Sequence, residues 1–163
     1  MRALLLALAA LMMPVTAAGT EVPTLTKGPV RAVVLRVVDG DSVEVRAHLW
    51  PGLEMRTLVR LRGVDAPELR ARCPLERQLA QQARAHLEQR LEAGVVELHD
   101  IRHDKYGGRV TARLLVDAAD VGADLVAHGL ARPYSGKGPR KSWCNNTPPP
   151  DGDVRSDTLF SSP

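Results

Sequence analysis

The sequence predicts an α+β domain, mainly β, in which five short strands form a small barrel carrying one long and one short helix. Three observations point there. Apolar and polar residues alternate with period two in five short runs, each bounded by turn residues. One longer run places an apolar residue at every fourth position, the signature of a helix with one buried face. The order is three strands, the long helix, two strands and the short helix, without the regular strand–helix alternation of a doubly wound sheet.

Pro29 to Val38 is rich in valine, with Arg31 and Arg36 breaking the apolar run, and reads as the first strand. Asp39-Gly40-Asp41 is a tight-turn signal and Ser42 to Ala47 alternates again, so the two runs form a hairpin. Trp50-Pro51-Gly52 turns the chain into a third strand from about Met55 to Val64. Leu75 to Leu91 is the long helix: Leu75, Leu79, Ala83, Leu87 and Leu91 form its apolar stripe, Pro74 suits its first turn, and Gly94 follows its end. Val95 to Ile101 is the fourth strand, Asp104 to Gly108 a turn, and Arg109 to Val116 the fifth strand. A short helix from about Val121 to His128 stops at Gly129. Five strands in this order favour the five-stranded OB-type barrel.

The 163 residues are enough for one domain with a real core. Arg2, the apolar run Ala3 to Met13, Pro14 and the small residues Thr16-Ala17-Ala18 have the layout of a signal peptide over residues 1–18. Its apolar run is too short to span a bilayer, so the mature chain is expected to be exported, periplasmic or secreted, and free of the membrane. Residues 19–28 read as a flexible leader, 29–144 as the barrel domain, and the Pro-, Gly- and Ser-rich residues 145–163 as a poorly ordered tail. Without Arg2, 21 of the 22 Lys+Arg face 19 Asp+Glu, too even a balance to name a partner. Four bases and no acid lie between Arg132 and Lys141, a pattern that a solvated surface also explains. In an exported chain the two cysteines, Cys73 and Cys144, suggest a disulfide worth about 4 kcal/mol on the chain-entropy model, the alternative being two free thiols. The five histidines show no zinc-ligand spacing beside them.

Chemistry concentrates at strand ends. Arg60-Leu61-Arg62-Gly63-Val64-Asp65-Ala66-Pro67-Glu68 runs from an alternating strand through a carboxylate and a proline turn to a second carboxylate. Asp39-Gly40-Asp41 and Asp104-Lys105-Tyr106-Gly107-Gly108-Arg109 close two hairpins. Taken singly, each is an ordinary turn. Brought together by a barrel, Asp41, Asp65, a carbonyl and water make an oxygen-only cation site. Arg60 and Arg109 would grip a phosphate from two sides, and Glu68 is left to position or deprotonate water.

Those three segments, with Gly129-Leu130-Ala131, resemble the thermonuclease (staphylococcal nuclease-like) family over roughly residues 30–135. The resemblance implies a barrel that cuts DNA and RNA phosphodiesters with one Ca²⁺. It places the calcium ligands on Asp41, Asp65 and the Ala66 carbonyl, the catalytic glutamate on Glu68, and the first phosphate arginine on Arg60. It places the second on Arg109, with Lys105 and Tyr106 at the nucleotide. Here an extra glycine, Gly108, precedes Arg109; a one-residue slip would turn that arginine to the other face unless a longer turn absorbs it. The family's last helix has no counterpart in the proline-rich end, where Cys144 tied to Cys73 is expected to replace it as an anchor. The expected protein is a monomeric, exported, calcium-dependent endonuclease preferring single strands. A nucleic-acid-binding barrel without cleavage and an exported protein-interaction domain are the alternatives.

Overall fold

The computed structural model describes residues 25–144. The signal peptide expected over 1–18 and the tail expected over 145–163 lie outside the described residues. Nine strands and two helices follow in order: β1 (Leu25–Thr26), β2 (Val30–Asp39), β3 (Ser42–Trp50), β4 (Leu53–Leu61), β5 (Val64–Asp65), α1 (Pro74–Arg90), β6 (Val95–His103), β7 (Arg109–Val116), β8 (Ala119–Asp120), α2 (Val121–Ala127) and β9 (Arg132–Pro133). Five of them close a barrel in the order β6-β2-β3-β4-β7, with β7 pairing back onto β6. The β4–β7 seam is parallel and the other four are antiparallel. This is the OB-type α+β barrel that the alternation predicted.

Alternate residues of each strand fill the barrel. Val43, Val45, Val59, Leu61, Val96, Leu98, Ala112 and Leu114 are almost wholly buried there. Helix α1 starts at Pro74, with Cys73 as its N-cap accepting from the Glu76 amide, and Gly94 turns the chain beyond its end at φ 73°. Its buried face is Ala80, Ala83, Leu87 and Leu91, while Leu75 and Leu79 of the expected stripe are only half-buried. Small residues on that face allow close approach. A Cβ on Gly40 would lie 2.9 Å from the Ala83 Cβ and 3.1 Å from the Ala66 Cβ. The helix therefore clamps the β2–β3 turn against the Ala66–Pro67 segment, and this packing brings two of the chemistry-bearing stretches together.

The third strand is shorter than its expected end at Val64. It stops at Leu61, and Arg62-Gly63 turns the chain with Gly63 at φ 87°. Val64 is buried but out of phase with Val59 and Leu61, so it cannot continue their face. It leaves the barrel with Asp65 as β5, pairing with Pro133 and Arg132 of β9. Two other strands run past their expected ends: β3 continues to Trp50, and β6 reaches His103 through an irregularity at Asp100, φ 50°. Leu25–Thr26, in the expected leader, pairs with Arg102 and Ile101 on the barrel edge.

Candidate functional site

Asp41 is the turn residue just before β3, and Ser42 pairs with Arg60 on β4. The Asp41 carbonyl accepts from the Leu61 amide at 2.8 Å, which locks the turn against β4. Arg60 then meets the Asp41 carboxylate with both ends of its fork, Nη1 at 3.1 Å from Oδ1 and Nη2 at 2.7 Å from Oδ2. Ser42 Oγ donates to Asp41 Oδ1 at 2.9 Å, and the Ala66 amide points at Oδ2 from 3.5 Å. Despite the arginine, burial pushes the Asp41 carboxyl above its ordinary value: desolvation outweighs the Coulombic gain. Asp39, one turn residue away, is also raised, by burial first and then by the charge of Glu68.

Asp65 lies on β5, the short strand created by the Gly63 turn, and is 4% exposed. Arg60 Nη2 is 3.9 Å from its Oδ1. One guanidinium thus stands between two buried aspartates from different parts of the chain. Asp65 Oδ1 and Arg60 Nη2 have no hydrogen-bond partner of good geometry among the described residues. That buried oxygen is held by ion pairs alone, with Arg60 here and with Arg140 across the mouth, a place that a metal cation can take. Two carboxylates with such an oxygen suit a hard divalent ion that prefers oxygen ligands.

The remaining side of the site was missed in the sequence. Arg140 Nε lies 3.1 Å from Asp65 Oδ1, and its Nη1 lies 2.5 Å from Glu68 Oε1. Trp143, buried, donates its Nε1–H to Asp65 Oδ2 at 3.3 Å. Arg132 stacks 3.6 Å over the Trp143 ring and donates to the Ser142 carbonyl. The Cys73–Cys144 disulfide, Cα atoms 5.9 Å apart, ties this segment to the start of α1. The segment from Ser135 to Cys144 is therefore a strap across the mouth, without a helix of its own. The only advance signals were the acid-free basic run to Lys141 and the cysteine that follows it.

Arg109 resolves the question raised by Gly108. Gly108 takes φ 77°, and the Asp104 amide closes the turn on the Arg109 carbonyl at 3.2 Å. In the parallel seam Arg60 is opposite Thr111. Arg109, two residues before Thr111, consequently shares the face of Arg60. Its Nε donates to Asp104 Oδ2 at 2.6 Å, and its guanidinium lies 4.6 Å from the centre of the Tyr106 ring. Lys105 Nζ is 5.1 Å from the same ring, and Tyr106 is exposed. Arg60, Lys105, Tyr106, Arg109, Tyr134 and Arg140 line one open cavity of about 680 Å³. The arrangement can grip a phosphate between guanidinium forks, with carboxylates for a cation to one side and an exposed aromatic to the other.

A family model described as staphylococcal nuclease homologue matches residues 58–145, the stretch from β4 through the strap. No curated protein matches the chain.

Proposed function

The chain belongs to the staphylococcal nuclease homologue family, and from that premise we propose that it is an exported, calcium-dependent endonuclease hydrolysing phosphodiester bonds of single-stranded DNA and RNA. One observation carries the reading: the Arg60 fork is held between buried Asp41 and Asp65 at the mouth of a cavity that Arg109 also lines. Asp41, Asp65 and the Ala66 carbonyl hold Ca²⁺ in this reading. Bound there, the ion would supply positive charge against the phosphate.

The chain's own groups do the rest. Arg60 and Arg109 bind non-bridging oxygens and stabilise the charge that builds on phosphorus, where aimed donors are worth most. Glu68 holds the proton of the attacking water. Arg140 orients Glu68 while the site awaits substrate. Tyr106, already stacked on Arg109, offers its free face to an unpaired base, and Lys105 contacts an adjacent phosphate. Residues 1–18 direct export, where the disulfide is stable.

Hydrolysis of single-stranded DNA with Ca²⁺ and with chelator, for wild type and Glu68→Gln, tests this. Calcium-dependent cutting in the wild type and its loss in the variant are expected. The Arg140–Glu68 pair favours a second reading, a barrel that binds strands without cutting them, because it neutralises the proposed base. Binding without cutting by both proteins would establish that reading instead.

A further inference from the structure

Near the C-terminal end of α1, two histidines and an aspartate converge that the nuclease reading does not use. His86 projects from α1, Asp124 from α2, and His128 is the residue that ends α2. His86 Nε2 lies 2.6 Å from Asp124 Oδ2. His128 Nδ1 lies 3.7 Å from Asp124 Oδ1 and 2.9 Å from the Asp124 carbonyl oxygen. The two imidazole rings are 4.5 Å apart, centre to centre. Each residue offers one ligand atom such that all three lie within 4.8 Å of one another.

We propose that His86, Asp124 and His128 form a binding site for a borderline divalent transition metal, Zn²⁺ in particular. Bonds of about 2.0–2.2 Å place the ligands of a tetrahedral zinc roughly 3.3–3.5 Å apart, a separation that small side-chain rotations reach from the observed one. Two imidazoles and a carboxylate are the donors such a metal prefers, whereas calcium favours the all-oxygen set at the barrel mouth. Asp124 lies on α2 and His128 caps its C-terminal end four residues later, so they stand on one side, and His86 supplies the third ligand from the neighbouring helix. Water completes the fourth position, because His128 is exposed. Arg90 Nε, 3.6 Å from Asp124 Oδ2, has no hydrogen-bond partner among the described residues. Once His86 turns from Oδ2 to a metal bound through Oδ1, Oδ2 is left to Arg90, which then orients the ligand.

The histidines are 42 positions apart in sequence, which hid them from any reading of ligand spacing. The metal would staple α2 to α1. Because α2 leads through Gly129 into β9, which pairs with Asp65 on β5, the staple braces the strand beside Asp65. The proposal does not depend on nuclease activity.

Tag-free protein dialysed against ZnCl₂ should bind one equivalent at micromolar concentration, reversibly with EDTA, and show a raised Tm. Co²⁺ in its place should give visible ligand-field absorption. His128→Ala, at an exposed position, should weaken binding at least tenfold and abolish the Tm shift, and His86→Ala should do the same. Asp41→Asn should leave zinc binding unchanged. Absence of zinc binding at millimolar concentration overturns the proposal. So does binding that survives both histidine substitutions and is lost instead with His48 or His99, each of which faces a glutamate elsewhere.

Discussion

Arg140 stands on the carboxylates that the proposed cation requires, so removing it gives a quantitative test. Its Nε is 3.1 Å from Asp65 Oδ1 and its Nη1 2.5 Å from Glu68 Oε1. Calcium coordinated by Asp65 must displace this arginine. The Arg140 side chain is 41% exposed, so solvent screens the pair and its worth is roughly 1 kcal/mol. At 1.4 kcal/mol for each tenfold, that corresponds to about fivefold in affinity. Arg140→Gln is therefore expected to lower the calcium Kd about fivefold. Trp143 is the reporter: it is buried against Asp65, whereas Trp50, the second tryptophan, is 74% exposed. A calcium titration followed by tryptophan fluorescence measures Kd without reference to activity. In the same variant kcat should fall, by up to about 100-fold if Glu68 shifts by an ångström. A calcium Kd that is unchanged or weaker in Arg140→Gln refutes the reasoning, because Arg140 would then support the cation rather than compete with it.

Three further outcomes are expected. Arg60→Lys keeps the charge but loses the fork over Asp41, so activity on single-stranded DNA should fall about 100-fold or more while urea unfolding shifts by less than about 2 kcal/mol; parallel losses in both would contradict a phosphate role. Gly40→Ala forces a methyl group to 2.9 Å from the Ala83 Cβ and should destabilise by about 1–3 kcal/mol while weakening calcium binding, because it parts α1 from the Asp41 and Ala66 segments; wild-type stability would show that the clamp is loose. Burial holds Asp41 above its ordinary 3.8, so whatever stability it contributes is present below that value and is lost as pH rises through the raised one. Metal-free Asp41→Asn should therefore gain Tm relative to wild type as pH is raised from about 4 to about 7, and a gap that stays flat would contradict the sign of the shift.

The parts of this molecule legible in the sequence are those in which neighbouring residues specify one another. Alternation fixed the barrel strands, a four-residue spacing and Pro74 fixed α1, and turn chemistry placed Asp41, Asp65 and Arg109 at strand ends. What stayed hidden depends on closure between distant segments. The parallel β4–β7 seam has no local signature, yet its register alone sets Arg109 on the face of Arg60. The end of β4 was legible in principle, since Val64 breaks the parity of Val59 and Leu61, but a run of arginines between them concealed the break. Arg140 and Trp143 sit 75 and 78 positions from Asp65 in a stretch without periodicity, and only Cys144 hinted that it was anchored. Two of the hidden elements, the end of β4 and the strap, meet at one carboxylate. Asp65 is reached by Arg60 from the end of β4, paired with Arg132 at the β5–β9 ladder, and covered by Arg140 and Trp143 from the strap. A buried aspartate whose partners Arg132, Arg140 and Trp143 lie 67 to 78 positions away cannot be specified by its own neighbourhood. The short β5 strand that carries it exists because the chain had to leave the barrel at Gly63 to deliver it there.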